Sequence, residues 1–273
     1  MDYSVLMAVY AKENPAHFQT AIDSMLQQTV PPAQLVLVCD GPLTTELDSV
    51  IQSRADRLDV VRLPQNRGLG EALRTGLLHC RCALVARMDS DDISLPDRCE
   101  KQLAAFAADS DLAIVSGVIE EFTFDPEQPV SKRVVPLTHD EIVTYSKRRC
   151  PFNHPCVMFK KQAVLDAGNY NNDYVYNEDY DLWMRMLANG VKTANLPDVL
   201  LQQRSSSAQI QRRGGKAYAK SFFALRKAFL QNGWISRKDF IYSAYPQYIV
   251  SRMPNGMRGM VYRVVRRKEG KQA

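Results

Sequence analysis

Four polar residues, Asp89-Ser90-Asp91-Asp92, directly follow an apolar segment of the 273-residue chain. Carboxylates grouped so closely could bind a hard divalent cation such as Mn²⁺ or Mg²⁺, because these ions prefer oxygen ligands. Such a cation can bridge the carboxylates to a diphosphate and act as a Lewis acid on a nucleotide diphosphate leaving group. The alternative is a solvated acidic turn that caps a helix beginning near Leu95-Pro96.

A second acidic pair, Glu178-Asp179, opens a predicted helix. The apolar positions that follow at helical spacing are Leu182, Trp183, Met186 and Leu187. The pair therefore lies at the positive end of the helix dipole. Helix capping explains one acidic residue there, whereas a carboxylate beside a substrate hydroxyl could remove its proton as a general base.

The elements that position these carboxylates are predicted from hydrophobic patterning. Short apolar runs alternate with helical patterns in the first half, which indicates an α/β fold with a mainly parallel sheet flanked by helices. The predicted strands are 4–10, 34–39, 58–63, 83–88 and 112–119. The loops after the first four strands are 11–14, 40–42, 64–68 and 89–92. Because ligands bind outside the carboxyl ends of the strands in open α/β sheets, we expect these loops to converge on one crevice.

Local signals place the helix starts and divide the chain. Capping residues or a first-turn proline predict starts at Asn14-Pro15, at Thr44-Thr45 and at Leu95-Pro96. Three prolines in 121–136 indicate an irregular excursion or hairpin. Further predicted elements are strands at 156–159 and 191–195, a polar loop at 205–215 and a helix at 216–230. The predicted units are a catalytic domain, 1–215, with a nucleotide-binding half, 1–120, and an acceptor-binding half, 121–215, and a helical extension, 216–273.

Composition limits the possible functions. The chain is 45% hydrophobic and 24% charged, which suits one large unit with a full core. Six cysteines without a C-x-x-C pair suit reduced thiols in a cytosolic protein. Since no signal-like segment opens the chain and no apolar run could span a membrane, we expect a cytoplasmic protein. The formal net charge of +5 is modest and its basic residues gather near the C-terminus, which argues against a nucleic-acid partner.

The C-terminal segment combines apolar and basic residues after a break at Pro254-Asn255-Gly256. The apolar positions at helical spacing are Met257, Met260, Val261, Val264 and Val265, and the basic ones are Arg258, Arg263, Arg266, Arg267 and Lys268. This pattern predicts a basic amphipathic helix that binds an anionic membrane surface, so that the protein is peripheral on the inner face of the cytoplasmic membrane. The alternative is a helix packed on the catalytic unit with a solvated outer face.

The order of five motifs resembles glycosyltransferase family 2 over residues 3–204. These motifs are the segments 4–10, 38–41, 66–76, 87–92 and 177–183. Asn153-His154-Pro155 is similar to a step common in the family's bacterial capsule and exopolysaccharide branch. The resemblance implies a GT-A fold with a Rossmann-like sheet and an inverting transfer of one sugar from a nucleotide-sugar. The expected acceptor is a polyprenyl-diphosphate-linked saccharide of a capsule, exopolysaccharide or O-antigen.

The resemblance also implies roles for residues on the donor side. It assigns the nucleobase to Ala8, Val9, Tyr10 and Asp40. As a hydrogen-bond acceptor Asp40 favours uracil, and hence a UDP-sugar, although an ordinary turn residue is the alternative. Arg67 could pair with phosphate or stack near the base.

Metal and diphosphate are assigned to the acidic loop and to a loop that closes over it. Asp91 is the expected direct ligand of Mn²⁺ or Mg²⁺, Asp89 lies near the ribose or the waters of the metal, and Asp92 supports them. Arg204 opens a loop, 204–213, that could close and offset the diphosphate charge.

On the acceptor side, the resemblance implies that one of Glu178 and Asp179, by analogy Asp179, removes the acceptor hydroxyl proton. His154 and Trp183 are acceptor-side candidates, with a structural hydrogen bond and core packing as the respective alternatives. The segment 209–213 resembles the Gln-x-x-Arg-Trp motif of processive members, but Arg213 replaces the tryptophan, which indicates single-sugar addition.

Two other functions are weighed against this one. A sugar-phosphate nucleotidyltransferase needs a glycine-rich first loop, whereas this loop is Ala11-Lys12-Glu13-Asn14-Pro15. A catalytically silent scaffold at the membrane is disfavoured by the intact acidic motifs, and turnover would exclude it.

Overall fold

The protein folds around one mixed sheet with helices on both faces, which confirms the predicted α/β class. The computed structural model describes residues 1–174, 176–205, 214–254, 256–258 and 261. The predicted motif at 209–213 lies outside the described residues, as does nearly all of the predicted C-terminal helix.

The strand order explains why the sheet is mainly parallel. The strands are β1 (Tyr3–Val9), β2 (Gln34–Cys39), β3 (Asp59–Arg62), β4 (Leu84–Met88), β5 (Ile93–Ser94), β6 (Leu112–Phe122), β7 (Ser131–Arg133), β8 (Met158–Lys160) and β9 (Lys192–Arg204). Their order is β3-β2-β1-β4-β8-β6-β9-β5, with β7 beside β6. The first four strands are parallel, and β8 inserts antiparallel between β4 and β6. Since β1, β2 and β4 are covered on both faces, their sequences are nearly continuous apolar runs.

Two helices of the first half begin at the predicted capping signals. The described helices are α1 (Pro15–Leu26), α2 (Thr45–Gln52), α3 (Leu69–His79), α4 (Arg98–Ala108), α5 (His139–Ser146), α6 (Lys161–Asp166), α7 (Glu178–Ala188), α8 (Gly215–Gln231) and α9 (Arg237–Arg252). The Asn14 side chain accepts from the N–H groups of Ala16 and His17 at 2.9 and 3.2 Å. The Thr44 hydroxyl accepts from the Leu47 N–H at 3.3 Å. Both predicted caps are confirmed.

One predicted helix start and one predicted strand end are wrong, because strand pairing between distant parts of the chain sets both boundaries. The helix expected from Leu95-Pro96 begins at Arg98, because Ile93–Ser94 pairs with β9 as a short strand. The strand expected to end at residue 195 continues to Arg204, since it pairs with β6 over most of its length. The excursion after β6 is a hairpin that returns as β7.

Successive side chains of β1 point to opposite faces of the sheet and belong to two separate cores. Val5 and Met7 pack with residues of α1, α2 and α4, whereas Leu6 packs with residues of α3 and α7. The α3 side of this packing requires glycine at position 76. A Cβ there would lie 2.5 Å from Leu6 Cδ1 and from Val38 Cγ2, so only glycine lets α3 approach the sheet so closely.

The C-terminal helices are joined to the sheet and its helices through α7. Tyr180 and Met184 form an apolar cluster with residues of α8. The buried Arg226 of α8 donates to the Tyr180 hydroxyl at 2.6 Å and to the Lys147 carbonyl. These contacts fix α8 to both α7 and the end of α5.

One residue of the predicted membrane helix is placed differently from the expectation. Arg258 is buried, and its Nη1 donates to the carbonyls of Ser251 and Met253 at 3.2 and 3.3 Å. It therefore caps the end of α9 instead of facing a membrane. Among the described helices, none is long and apolar enough to cross a bilayer.

Arg226→Met should destabilise the protein by about 1–3 kcal/mol, because the Lys147 carbonyl would lose its buried donor. The exposed neighbour Lys227 provides a matched control, and Lys227→Met should stay within about 0.5 kcal/mol of the wild type. Urea unfolding measures both. Equal stability of the two variants would show that the Arg226 contacts contribute nothing.

Candidate active site

Loops from four strand ends meet at one edge of the sheet. The Ser90 hydroxyl, after β4, donates to Glu13 Oε2, after β1, at 2.8 Å. The Asp40 carboxylate, after β2, accepts from the N–H groups of Arg67 and Gly68, after β3, at 2.7 and 3.0 Å. These contacts lie at the carboxyl ends of β1 to β4, the position where open α/β sheets bind ligands.

The residues predicted to hold the nucleobase lie together at this edge. Ala8 and Val9 end β1, and the Val9 carbonyl accepts from the Asp40 N–H at 2.8 Å. Tyr10 follows them and is half-buried, whereas the Arg67 side chain is exposed. Asp40 anchors the loop before α3 with both of its oxygens, and each oxygen has a second acceptor position.

Asp89, Asp91 and Asp92 form an acidic cluster beside these residues. One carboxylate oxygen from each lies within 4.8 Å of the others. Asp92 is buried, and its Oδ1 accepts from the Arg204 N–H at 2.9 Å. Among the residues that the structure describes, none donates a hydrogen bond to its Oδ2. Since a buried carboxylate oxygen is costly when unsatisfied, this hard-oxygen donor set fits a divalent cation such as Mn²⁺ or Mg²⁺.

The electrostatics of the acidic cluster also favour a bound cation. Burial, together with the charges of Asp91 and Asp89, raises the pKa of Asp92 well above its usual range. The strand β9 brings Arg204 to this loop, where its Nε donates to the Asp91 carbonyl at 3.2 Å. The Arg204 guanidinium also lies over the Phe122 ring, 4.6 Å from its centroid. Arg204 is therefore held beside the acidic loop.

Arg87 is a central residue of the site to which the sequence analysis assigns no role, although it opens the motif at 87–92. Its side chain is 1% exposed, and its Nη2 donates to Asp89. Its Nε and Nη1 have no hydrogen-bond partner in the described part of the chain. Its charge also acts on Glu178 and His154, so Arg87 lies within electrostatic range of the start of α7 as well as of the acidic cluster. An arginine inside an otherwise apolar strand is the signal that could have found it.

The start of α7 carries the predicted catalytic pair. Glu178 is buried, and this burial together with the Asp179 charge raises its pKa to about 7. Asp179 Oδ1 accepts from the Tyr180 N–H at 2.7 Å, and Oδ2 accepts from the Cys150 thiol at 3.7 Å. Burial raises the pKa of Cys150, which keeps the thiol neutral and able to donate. Asp179 is thus oriented while its side chain stays partly exposed.

The two acceptor-side candidates differ in exposure. His154 is half-buried, its Nε2 lies 3.1 Å from the Tyr170 hydroxyl, and burial lowers its pKa well below the usual value. Trp183 has no exposed surface and packs among aromatic rings, including Phe152 at 5.7 Å between centroids. Trp183 therefore offers no face to a sugar, which corrects its assignment to the acceptor side in favour of core packing.

A groove elsewhere on the surface contains none of these side chains. It has a volume of about 890 Å³ and lies between β7, α5 and β9, where Val134, Pro136 and Tyr145 line it. The position of this groove therefore does not indicate the acidic cluster as a site.

Known sequences similar to this chain are glycosyltransferases. Residues 4–167 match the model of the family described as Glycosyl transferase family 2. A UDP-Gal:alpha-D-GlcNAc-diphosphoundecaprenol beta-1,3-galactosyltransferase of Escherichia coli is 40% identical over 268 residues, which cover 97% of each chain. The amylovoran biosynthesis glycosyltransferase AmsE of Erwinia amylovora is 38% identical over 238 residues, covering 85% of this chain and 88% of AmsE.

Solved structures share the GT-A fold. The mannosyltransferase PcManGT of Pyrobaculum calidifontis, in complex with GDP-Man and Mn²⁺, has a TM-score of 0.66 at 16% identity and covers 96% of this chain and 79% of its own. S. aureus TarS 1–349 in complex with UDP-GlcNAc has a TM-score of 0.62 at 17% identity and covers 84% and 67%. Identities this low support the fold alone.

The metal-free protein should lose stability as the pH rises, because of Glu178. Its folded-state pKa of about 7 exceeds the usual value of 4.5, so folding disfavours its ionised form. Its contribution to the free energy of unfolding is therefore intact below about pH 4.5 and falls by up to about 3 kcal/mol as the pH rises to about 7.

Glu178→Gln should remove this fall. Urea unfolding in EDTA at about pH 5 and pH 8 measures it, with Glu127→Gln, on an exposed turn, as the control. An unchanged pH dependence in Glu178→Gln would show that Glu178 does not titrate as a buried group.

Proposed function

Because the chain belongs to glycosyl transferase family 2, we propose that it transfers one hexose, with inversion, from a UDP-sugar to a polyprenyl-diphosphate-linked saccharide in bacterial surface polysaccharide biosynthesis. The observation that carries the proposal is the placement of an acidic cluster and a helix-start carboxylate pair around one buried arginine, Arg87. Alignment over 97% of the chain with a relative whose name gives UDP-Gal and a diphosphoundecaprenol acceptor supports this substrate class.

Asp91 and Asp89 would hold Mn²⁺ or Mg²⁺, with the unpartnered oxygen of Asp92 beside them. The bound ion supplies positive charge that stabilises the departing diphosphate. The Arg204 side chain, held at the same loop, adds to this charge.

The uridine would bind across the ends of β1 and β2. Ala8, Val9 and Tyr10 would line the base, and the second acceptor positions of Asp40 would receive the uracil N–H. Arg67 is exposed at the neighbouring loop, where it can reach the base or a phosphate. The UDP-Gal in the name of the 40% identical relative supports UDP over GDP.

Asp179 would act as the general base. It accepts the proton of the acceptor hydroxyl while that oxygen forms a bond to the anomeric carbon of the donor sugar. The bond from this carbon to the diphosphate oxygen breaks, and its electron pair leaves with UDP. Attack from the face opposite the leaving group inverts the anomeric centre. The raised pKa of Glu178 keeps part of it protonated near neutral pH, so Glu178 can donate a hydrogen bond beside the base.

The acceptor would approach from the side of α7 and the 3₁₀ turn His154–Cys156. The His154 ring is neutral, since burial lowers its pKa, and it can contact acceptor hydroxyls through hydrogen bonds. A lipid-linked acceptor requires the protein to work at a membrane surface, which we place at the cytoplasmic face.

Nucleotide binding tests the donor and the metal together. Calorimetry should detect binding of UDP, and weaker binding of GDP, to the wild type in the presence of Mn²⁺. Asp91→Asn should weaken metal-dependent UDP binding by more than the roughly 10–100-fold that loss of an outer-shell partner costs. Asp111→Asn, an exposed residue before β6, is the control. A folded wild type that binds neither nucleotide would favour the scaffold function instead.

A sugar-transfer assay tests the role of Asp179 as the general base. With UDP-galactose and a GlcNAc-diphosphate lipid as the first pair, Asp179→Asn should lower kcat by about 10²–10⁴ and leave the Kd for UDP nearly unchanged. Asp173→Asn, an exposed neighbour, should keep normal turnover. Loss of UDP binding in Asp179→Asn would reassign the residue to donor recognition or folding.

A further inference from the structure

One face of α9 presents apolar and aromatic side chains to solvent. We call it the α9 stripe; its members are Ile241, Tyr242, Tyr245 and Ile249, whose exposed fractions lie between 49% and 62%. Residues separated by one, four and eight positions fall on the same side of a helix. The other side carries the small buried residues Ser243, Ala244 and Ser251. Exposure of four large side chains on one helix marks a binding surface rather than scattered surface residues.

Positive charge frames the α9 stripe. Lys238 lies one turn before Ile241, and Arg252 lies three residues after Ile249; both are exposed and lie on the same side of the helix. The Arg148 guanidinium lies 5.6 Å from the centroid of the Tyr242 ring. The acidic residue of this helix, Asp239, is paired with Arg148 at 2.8 Å and accepts from Ser236 in the helix cap.

The C-terminal part of the chain as a whole is rich in basic residues and poor in acidic ones. Twelve of the 35 Lys and Arg residues fall within 214–268, but only one of the 30 Asp and Glu residues does. Lys216, Lys220 and Lys227 of α8 are exposed. A segment so poor in carboxylates is suited to an anionic surface.

We propose that the α9 stripe docks on the surface of an anionic lipid bilayer. Isoleucine side chains would enter the boundary of the acyl region, tyrosine rings would lie at the depth of the headgroups, and Lys238 and Arg252 would contact lipid phosphates. The inference rests on the proposed function, because only a lipid-linked acceptor requires the enzyme at a bilayer.

Docking through α9 would also orient the active site. Phe223 of α8 packs edge-on against Phe240 and Tyr245 of α9, with ring centroids 5.3 and 5.7 Å apart. One turn further along, α8 holds α7 through the contact of Arg226 with Tyr180, the residue after Asp179. Two packed layers therefore join the docking face to the catalytic helix.

Vesicle binding tests the proposal directly. The full-length protein should co-sediment with vesicles of phosphatidylglycerol and phosphatidylethanolamine, and bind vesicles of phosphatidylcholine much less. The variant Ile241→Ser/Tyr245→Ser/Ile249→Ser should bind anionic vesicles at least about tenfold more weakly. Lys238→Glu/Arg252→Glu should also weaken binding, and added salt should have less effect on this variant than on the wild type.

Matched controls separate docking from general exposure of apolar groups. Leu78, Phe124 and Val130 are exposed elsewhere on the protein, so Leu78→Ser/Phe124→Ser/Val130→Ser should bind vesicles like the wild type. Deletion of residues 259–273 should leave binding that still depends on Ile241, Tyr245 and Ile249. Thermal unfolding checks that every variant is folded.

Two readouts separate failure of the docking proposal from failure of the proposed function. The α9 stripe variant should transfer sugar normally to a short-chain, water-soluble acceptor and poorly to a vesicle-embedded one. If the wild type transfers sugar to neither acceptor, the proposed function is overturned and the docking proposal is not. Wild-type vesicle binding in a folded stripe variant, or complete loss of binding in the 259–273 deletion, would overturn docking through α9. A concentration-dependent dimer that the stripe substitutions dissociate would assign the face to a second copy instead.

Discussion

Mutual repulsion among the carboxylates at one crevice is the constraint on which the rest of the site depends. Asp89, Asp91 and Asp92 meet there, and the charges of Asp89 and Asp179 both act on Glu178 at the start of α7. Like charges this close interact strongly where water is largely excluded. The buried guanidinium of Arg87 offsets part of this repulsion, because it pairs with Asp89 and lowers the energy of an ionised Glu178. Burial and the remaining repulsion raise the pKa values of both Glu178 and Asp92.

The sheet topology follows from holding this arginine in place. The Arg87 N–H donates to the Val157 carbonyl at 2.9 Å, next to the antiparallel strand β8. The Arg87 carbonyl accepts from the buried Arg98 at 2.7 Å, and Arg98 also donates to the Pro155 carbonyl at 3.3 Å. A wholly parallel sheet would not bring residues 154–157 beside β4. The reversed strand β8 and the turn before it therefore bring His154, from the second half of the chain, to the edge where strands of the first half end.

The sequence predicts the parts of this architecture that depend on local pattern. Continuous apolar runs predict β1, β2 and β4, and the Asn14 and Thr44 caps predict where α1 and α2 begin, because capping is satisfied within a few residues. The late start of α4 and the length of β9 depend on pairing between residues about a hundred positions apart, which no local signal contains. Likewise the motifs predict the convergence of Asp89–Asp92 with Asp40, whereas the Cys150 contact to Asp179 and the burial of Arg258 arise from tertiary packing.

The irregularity in β9 has a consequence for association between molecules. Its pairing with β6 passes from Leu196 directly to Val199, so Pro197 and Asp198 form a bulge, and β5 covers the far side of β9 only near Leu201. Proline offers no N–H to an incoming strand, and the Asp198 carboxylate is held by Lys101 at 3.0 Å. The longest edge of the sheet is therefore a poor template for strand addition, which protects a protein rich in apolar strands from aggregating through its sheet at high local concentration.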